Sequence, residues 1–165
     1  ELPRGDFAFT MCRQFLYDAF SLPLMQNLCG SSDERLAAIA AKAEKESRYH
    51  LRRSQEWMLR LGGGTDESHR RLQVALDELW AYTDEMFQSD SLLSALVQEG
   101  VAVDPADWRE SWREMIAETF TEANLDLPVS SITQSGGRDG VHSAHMEPLL
   151  QELQYMQRTY PGLKW

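Results

Sequence analysis

One stretch of the sequence, from about Asp33 to Leu61, repeats its inward-facing residues at steps of three and four throughout its length. This spacing is typical of one face of an α-helix. The glycines at 62–64 should end the helix, because glycine adopts left-handed dihedrals freely. With no strand pattern elsewhere, the stretch predicts an all-α bundle of long antiparallel helices. The predicted inner face consists of Ile39, Ala43, Glu46, His50, Ser54, Trp57 and Leu61.

Four other long helices and a short one are predicted around this segment, in one domain covering 1–165. They run over about 6–28, 66–88, 91–99 (the short one), 104–123 and 143–160. Pro23 should kink or break the first of these helices. The 17-residue segment 125–141 has no periodic pattern, and so long a loop is typically functional, partner-bound or disordered. The last helix is predicted to bury Met146, Leu149, Leu150, Leu153 and Met156.

The charge of the chain argues against two classes of partner. The formal net charge is −10 at pH 7, and the linear sequence shows no tail or stripe rich in lysine and arginine. Nucleic acids and anionic membranes both require a cationic face. No apolar run approaches the roughly 20 residues that span a bilayer, and no signal-peptide pattern opens the sequence. Cys12 and Cys29 are predicted to be reduced thiols. A cytoplasmic protein is therefore expected.

Three ionisable side chains lie on predicted inner faces, where apolar residues would be expected. Glu46 and His50 belong to the long central helix, and Asp18 lies among the apolar residues of the first helix. Buried charges need partners, so the three are predicted to converge in one polar pocket. This pocket could be a hydrogen-bonded cluster or a metal site. Bundles that bind two iron ions use Glu-x-x-His, whereas Tyr49 stands three residues after Glu46 and His50 four.

Two weaker candidates lie near the end of the chain. His142 and His145 have a spacing that can chelate zinc, but they are also typical of a helix start. The segment "GGRDG" at 136–140 follows no strand, so the phosphate-binding fingerprints do not apply to it. Its Arg138 could still contact a partner or a phosphate group.

Several longer segments carry a resemblance to a known family. They are "LAAIAAKAEKESRYHLRRSQEWMLRLGGGTD" at 36–66, "QEGVAVDP" at 98–105 and "GVHSAHMEPLLQELQYMQRTYPGLKW" at 140–165. Together they resemble the C subunits of the bacterial ring 1,2-phenylacetyl-CoA epoxidases, which take part in phenylacetate catabolism. The resemblance covers essentially the whole chain. It also implies that the chain is the C-terminal two thirds of such a subunit, without its N-terminal helices.

The resemblance implies a ferritin-like fold and a non-catalytic, structural role beside the catalytic A subunit, which would hold the di-iron centre. No metal, cofactor or catalytic residue is then expected in this chain. Asp18, Glu46, Tyr49 and His50 would be the remains of a metal site, with Tyr49 in place of a ligating histidine. The expected partners are the A subunit, other epoxidase components and a possible second copy. Two alternatives stay open, a metal-bearing ferritin-like oxidase and an unrelated helical adaptor. The candidate interface residues are Arg52, Arg53 and Arg138.

Overall fold

A computed structural model describes residues 1–129 and 132–164, and every regular element within these ranges is helical. This confirms the predicted all-α class and is consistent with a ferritin-like bundle. Short 3-10 turns lie at Trp80–Tyr82, Asp84–Phe87, Pro105–Trp108 and Gly137–Asp139. The α-helices are α1 (Phe7–Leu28), α2 (Glu34–Gly62), α3 (Asp66–Leu79), α4 (Ser91–Gln98), α5 (Arg109–Glu122), α6 (Met146–Leu153) and α7 (Tyr155–Thr159).

The contacts divide the chain into two compact units. The larger unit is Gly5–Gln134, and the smaller one combines Glu1–Arg4 with the chain from Ser135 onward. The prediction that both belong to one domain stays a prediction. Within the described residues, no helix is both long enough and apolar enough to cross a membrane.

Helices α1 and α2 form the long hairpin on which the larger unit is built. The Asp6 carboxylate accepts a 2.9 Å hydrogen bond from the Phe9 N–H and so caps α1. Asp33 caps α2 in the same way. Pro23 was predicted to kink or break α1; it does not break the helix, which continues to Leu28, and the kink stays a prediction.

Helices α3 and α5 pack against this hairpin and close the core of the larger unit. Trp112 donates from its indole N–H to the Leu16 carbonyl at 3.1 Å, which joins α5 to α1. Gly62 lies so close to α5 that an added Cβ would be 2.3 Å from the Ala123 carbonyl oxygen. The largest fully buried side chains are Phe15, Phe120, Met58, Leu72, Leu76, Ile116, Thr119 and Cys12.

The third and fifth helices differ from their predicted extents. The α-helical part of the third ends at Leu79, and two 3-10 turns continue it to Phe87. In the first turn the Thr83 hydroxyl donates to the Trp80 carbonyl at 2.8 Å. Such local bonding by threonine competes with regular helix geometry. The fifth helix starts as a 3-10 turn at Pro105, and its α-helical part starts at Arg109.

The smaller unit contradicts the buried face predicted for the last helix. Instead of one helix it contains α6 and α7, neither of which has a buried residue. Leu153 is 65% exposed. The spacing of the apolar residues predicts a buried face, but no described part of the smaller unit buries it. The other residues of the predicted face, Met146, Leu149, Leu150 and Met156, are likewise not buried.

Candidate functional site

Asp18 is the centre of a buried polar cluster between α1 and α2. Its side chain is only 3% exposed. The Gln14 amide donates to Asp18 Oδ1 at 2.6 Å, and the Ser54 hydroxyl lies 2.8 Å from Oδ2. The Ser54 hydroxyl also lies 3.0 Å from the His50 carbonyl oxygen and 3.2 Å from that of Leu51. Both carboxyl oxygens of Asp18 therefore have a partner from within the hairpin.

Burial is the main influence on the ionisation of this carboxyl. Removal from water raises the pKa of Asp18, and this effect exceeds the opposing hydrogen bonds from Gln14 and Ser54 and the charge of His50. The inward position predicted for Asp18 is thus correct. If Asp18 is protonated, Ser54 can accept its proton and donate its own to the His50 carbonyl, so the cluster has acceptable hydrogen bonds in either state.

Glu46 and His50 do not join this pocket, and the prediction that they face the core was wrong. Both side chains are exposed in the structure. Tyr49 is also exposed, at 53%, and its ring lies edge-on to the His50 ring with centroids 5.8 Å apart. The structure therefore brings Asp18 together with Gln14 and Ser54, and it leaves Glu46 and the Tyr49 phenol on the outside of α2.

The reason for this error is the rotation of α2. Its buried residues are Ala40, Leu51, Ser54, Met58 and Gly62. The line through these residues is rotated about the helix axis by roughly 100° from the predicted face, which is the rotation between successive residues. Ile39, which was predicted to be inside, is 63% exposed. The buried line includes the small residues Ala40 and Gly62, neither of which belongs to the predicted face.

The side chains of this region do not fit a metal centre. A di-iron bundle site requires carboxylates and histidines from several helices to point at one space. Here the Asp18 oxygens are occupied by an amide and a hydroxyl, and Glu46 lies on the exposed side of α2. Across residues 1–129 and 132–164, no three histidine, cysteine, aspartate or glutamate side chains are grouped as a metal ion requires. The prediction that this chain functions without a metal nevertheless stays a prediction.

The three interface candidates lie in different surroundings. Arg52 and Arg53 are exposed on α2, and the Arg52 guanidinium lies over the Tyr49 ring, 5.7 Å from its centroid. Arg138 is exposed in the smaller unit, in a 3-10 turn bounded by Gly136 and Gly140, both with positive φ. Ser130 and Ser131 of the predicted 125–141 loop lie outside the described residues.

One member of the predicted histidine pair, His142, has a carboxylate partner. His142 Nδ1 lies 2.8 Å from a Glu1 carboxylate oxygen, and the Ser143 N–H donates to the other oxygen at 2.6 Å. These bonds lower the pKa of Glu1, with the His142 bond as the largest cause. The contacts connect the two chain segments that make up the smaller unit.

The two cysteines lie apart as free side chains in the structure, and their reduced state stays a prediction. Cys12 is fully buried and Cys29 is exposed, and neither forms a disulfide. Burial is the larger of two causes that raise the pKa of Cys12 to about 12. The Cys12 thiol therefore stays protonated and packs as a small apolar group.

The two real partners of Asp18 were not predicted, although the sequence contains a signal for one of them. Gln14 stands four residues before Asp18 on the same helix, and glutamine–aspartate pairs at this spacing form hydrogen bonds. Ser54 was placed on the inner face but was not linked to Asp18. That contact joins residues 36 positions apart and depends on the rotation of α2.

Comparison with known proteins gives two matches that cover the whole chain. The family model of the phenylacetic acid catabolic proteins matches residues 1–165. A relative from Escherichia coli (strain K12), the C subunit of its 1,2-phenylacetyl-CoA epoxidase, is 45% identical over 165 residues. The match covers 100% of this chain and 66% of the relative. The chain therefore spans slightly less than two thirds of the length of that relative.

Proposed function

Since the chain belongs to the phenylacetic acid catabolic protein family, we propose that it serves as a non-catalytic subunit of an enzyme that epoxidises the ring of phenylacetyl-CoA. The 45% identity with the C subunit of such an epoxidase supports this assignment. In this role the chain stabilises a catalytic subunit in aerobic phenylacetate catabolism. The proposed partners are that catalytic A subunit and the other components of the epoxidase.

The observation that carries the non-catalytic part of the proposal is the Asp18 cluster. A carboxylate in a working metal site keeps its oxygens available for the ion, whereas both oxygens of Asp18 are engaged by Gln14 and Ser54. This cluster joins α1 to α2 through the hydrogen bond between Ser54 and Asp18. A rigid helical surface is what a neighbouring catalytic bundle needs, because its ligand helices must be held in fixed positions.

We assign the cofactor to the partner subunit. A di-iron centre held by the A subunit would supply the oxygen chemistry, and this chain would contribute packing surface only. We place the assembly in the cytoplasm, because the similar subunit belongs to an enzyme that is named for a coenzyme A ester.

Metal analysis of the purified protein, with and without the catalytic subunit, tests this division of roles between the two subunits. We expect less than about a tenth of an equivalent of iron or manganese in this protein alone. The Glu46→Gln and His50→Gln variants should leave the iron content of the assembled complex and its turnover per iron unchanged. Stoichiometric iron or manganese in this protein alone, lost on Glu46→Ala, would overturn the non-catalytic assignment. A collapse of turnover in a Glu46→Gln or His50→Gln complex that stays assembled and iron-loaded would also overturn this assignment.

A further inference from the structure

Two neighbouring residues of α2 form hydrogen bonds with two different helices. The Ser54 hydroxyl lies 2.8 Å from Asp18 Oδ2 on α1. The Gln55 side-chain amide donates to the Thr119 hydroxyl on α5 at 2.9 Å. Because successive residues of an α-helix are about 100° apart around its axis, the two bonds leave α2 on different sides. Polar atoms therefore connect α2 to both of these neighbours.

A third hydrogen bond joins the two neighbours of α2 to each other. It is the bond from the Trp112 indole N–H on α5 to the Leu16 carbonyl on α1, at 3.1 Å. With the two bonds from α2 it completes a ring of hydrogen bonds through α1, α2 and α5. These contacts lie between the three helices, so they do not depend on what covers the outer surface of the larger unit.

The Thr119 hydroxyl has two partners, and only one of them lies outside α5. Thr119 is 1% exposed. Its hydroxyl donates to the Met115 carbonyl at 3.0 Å, one turn earlier on the same helix, as threonine hydroxyls in helices commonly do. That bond already satisfies the hydroxyl proton. The bond from Gln55 is thus not needed to bury this hydroxyl, and it adds a directional contact between α2 and α5.

The apolar residues of α2 do not by themselves specify which side of the helix faces the core. One side includes Leu51 and Met58, which are buried in the structure. A second side, about 90–100° away around the helix, includes Ile39, Trp57 and Leu61 and is the face predicted from the sequence. Apolar attraction is not directional, so a helix with two apolar sides can bury either of them.

The bond from Gln55, in contrast, fits one of these two rotations. In the observed rotation Gln55 lies about 60° from the middle of the buried line, close enough to reach α5. If the predicted face turned inward, Gln55 would lie about 140° from its middle and would point away from the core. Ser54 belongs to both faces. Gln55 is therefore the bonded polar residue that distinguishes the two rotations.

We propose that the hydrogen bond from Gln55 to Thr119 acts as a rotational lock, which selects the side of α2 that packs against α1 and α5. Single buried polar residues have this role in coiled coils, where one asparagine fixes the register of the helices. An apolar side chain at position 55 can pack in more than one rotation, whereas an amide must meet the hydroxyl. The lock concerns the packing of this chain and does not rest on the proposed function.

A double-mutant cycle with Gln55→Met and Thr119→Val tests the lock. Methionine has about the length of glutamine, and valine has the shape of threonine, so each change removes the bond and little else. Gln73→Met on α3 is the matched control. Gln73 is half-buried like Gln55, and its side chain bonds to Asp77 and to the Asp126 backbone. The control therefore loses hydrogen bonds without a change at α2.

Urea unfolding and methyl NMR spectra are measured for the wild type and for each variant. Each single change should raise the unfolding equilibrium constant, and the double change should raise it by about three- to tenfold less than the product of the two single effects. In the NMR spectra the methyl groups of Ile39, Leu51 and Leu61 report on the two sides of α2. The wild type and Gln73→Met should show one set of signals for these groups. Gln55→Met should show a second set, or broadening from exchange between two rotations.

The two measurements separate a rotational lock from an ordinary stabilising bond. Coupling in the cycle together with a single, unshifted set of α2 signals in Gln55→Met would mean that the bond stabilises the fold without selecting a rotation, and this would overturn the lock. Absence of coupling would overturn it as well. If Gln55→Met does not fold, Thr119→Val removes the acceptor while the glutamine stays in place, and its spectra decide between the same outcomes.

Discussion

At the scale of single residues, Asp18 links the protonation of one carboxyl to the packing of α1 on α2. Burial raises its pKa, so the folded protein holds the proton to a higher pH than the unfolded chain does. Its contribution to stability is therefore greatest below the ordinary aspartate pKa of about 4 and falls as the pH rises through the raised folded value.

Asp18→Asn should remove this loss of stability with rising pH. The asparagine oxygen can accept from Gln14, and its amide can donate to the Ser54 hydroxyl, which then donates to the His50 carbonyl. Urea unfolding at several pH values from about 4 to about 8 should show the variant gaining stability relative to wild type as the pH increases. The variant Glu118→Gln, at an exposed carboxylate outside the cluster, is the control. A difference between Asp18→Asn and wild type that stays constant across this range would contradict the linkage.

The predicted inward positions on α1 and α2 show where sequence reasoning succeeds and where it does not. Asp18 was placed correctly because α1 has a dense apolar face with a single carboxylate in it. Glu46 was misplaced because α2 has apolar residues on several sides, including Ile39, which is 63% exposed. The side of α2 that is buried depends on where α1, α3 and α5 pack against it. That information lies in residues far away along the chain.

At the scale of helices, boundaries were predictable where a capping residue marks them. The predicted starts near Asp6 and Asp33 hold, because each carboxylate accepts from backbone N–H groups of the first turn. The close contact between the end of α2 and the end of α5 was not predictable, since the sequence gives no sign that Gly62 meets Ala123.

Gly62→Ala should destabilise the larger unit although alanine favours helices more than glycine does. The added Cβ would lie 2.3 Å from the Ala123 carbonyl oxygen, so backbone must move. We expect a loss of about 1–3 kcal/mol in the free energy of unfolding, the usual cost of overpacking. At Gly30 the nearest atom to an added Cβ is 3.5 Å away, so Gly30→Ala serves as the matched control. A Gly62→Ala variant as stable as the control would show that α2 and α5 do not approach this closely.

Leucines of the two units should respond very differently to truncation. Leu76 on α3 is fully buried and Leu153 on α6 is 65% exposed. Leu76→Ala should cost about 2–5 kcal/mol, and Leu153→Ala should change stability by less than about 0.5 kcal/mol. Thermal and urea unfolding of both variants provides the comparison. Similar losses would mean that α6 buries its apolar side, as the sequence pattern alone predicts.

At the scale of the whole molecule, composition was a guide to class but not to the distribution of charge. A net charge of −10 describes most of the surface and hides the exposed cations of α2. The all-α class could be predicted because helical spacing recurs along the chain. The rotation of α2 and the exposure of α6 could not be predicted, because both depend on which surfaces meet in three dimensions.

The central claim is that this protein supports a catalytic partner and does no chemistry itself. The most direct test is the turnover of phenylacetyl-CoA by the purified, iron-loaded catalytic subunit together with its reductase, measured with and without this protein. We predict that turnover is lost or falls at least about tenfold without it, and returns in proportion to the amount added until the two subunits are equimolar. Equal turnover in its absence would contradict the claim.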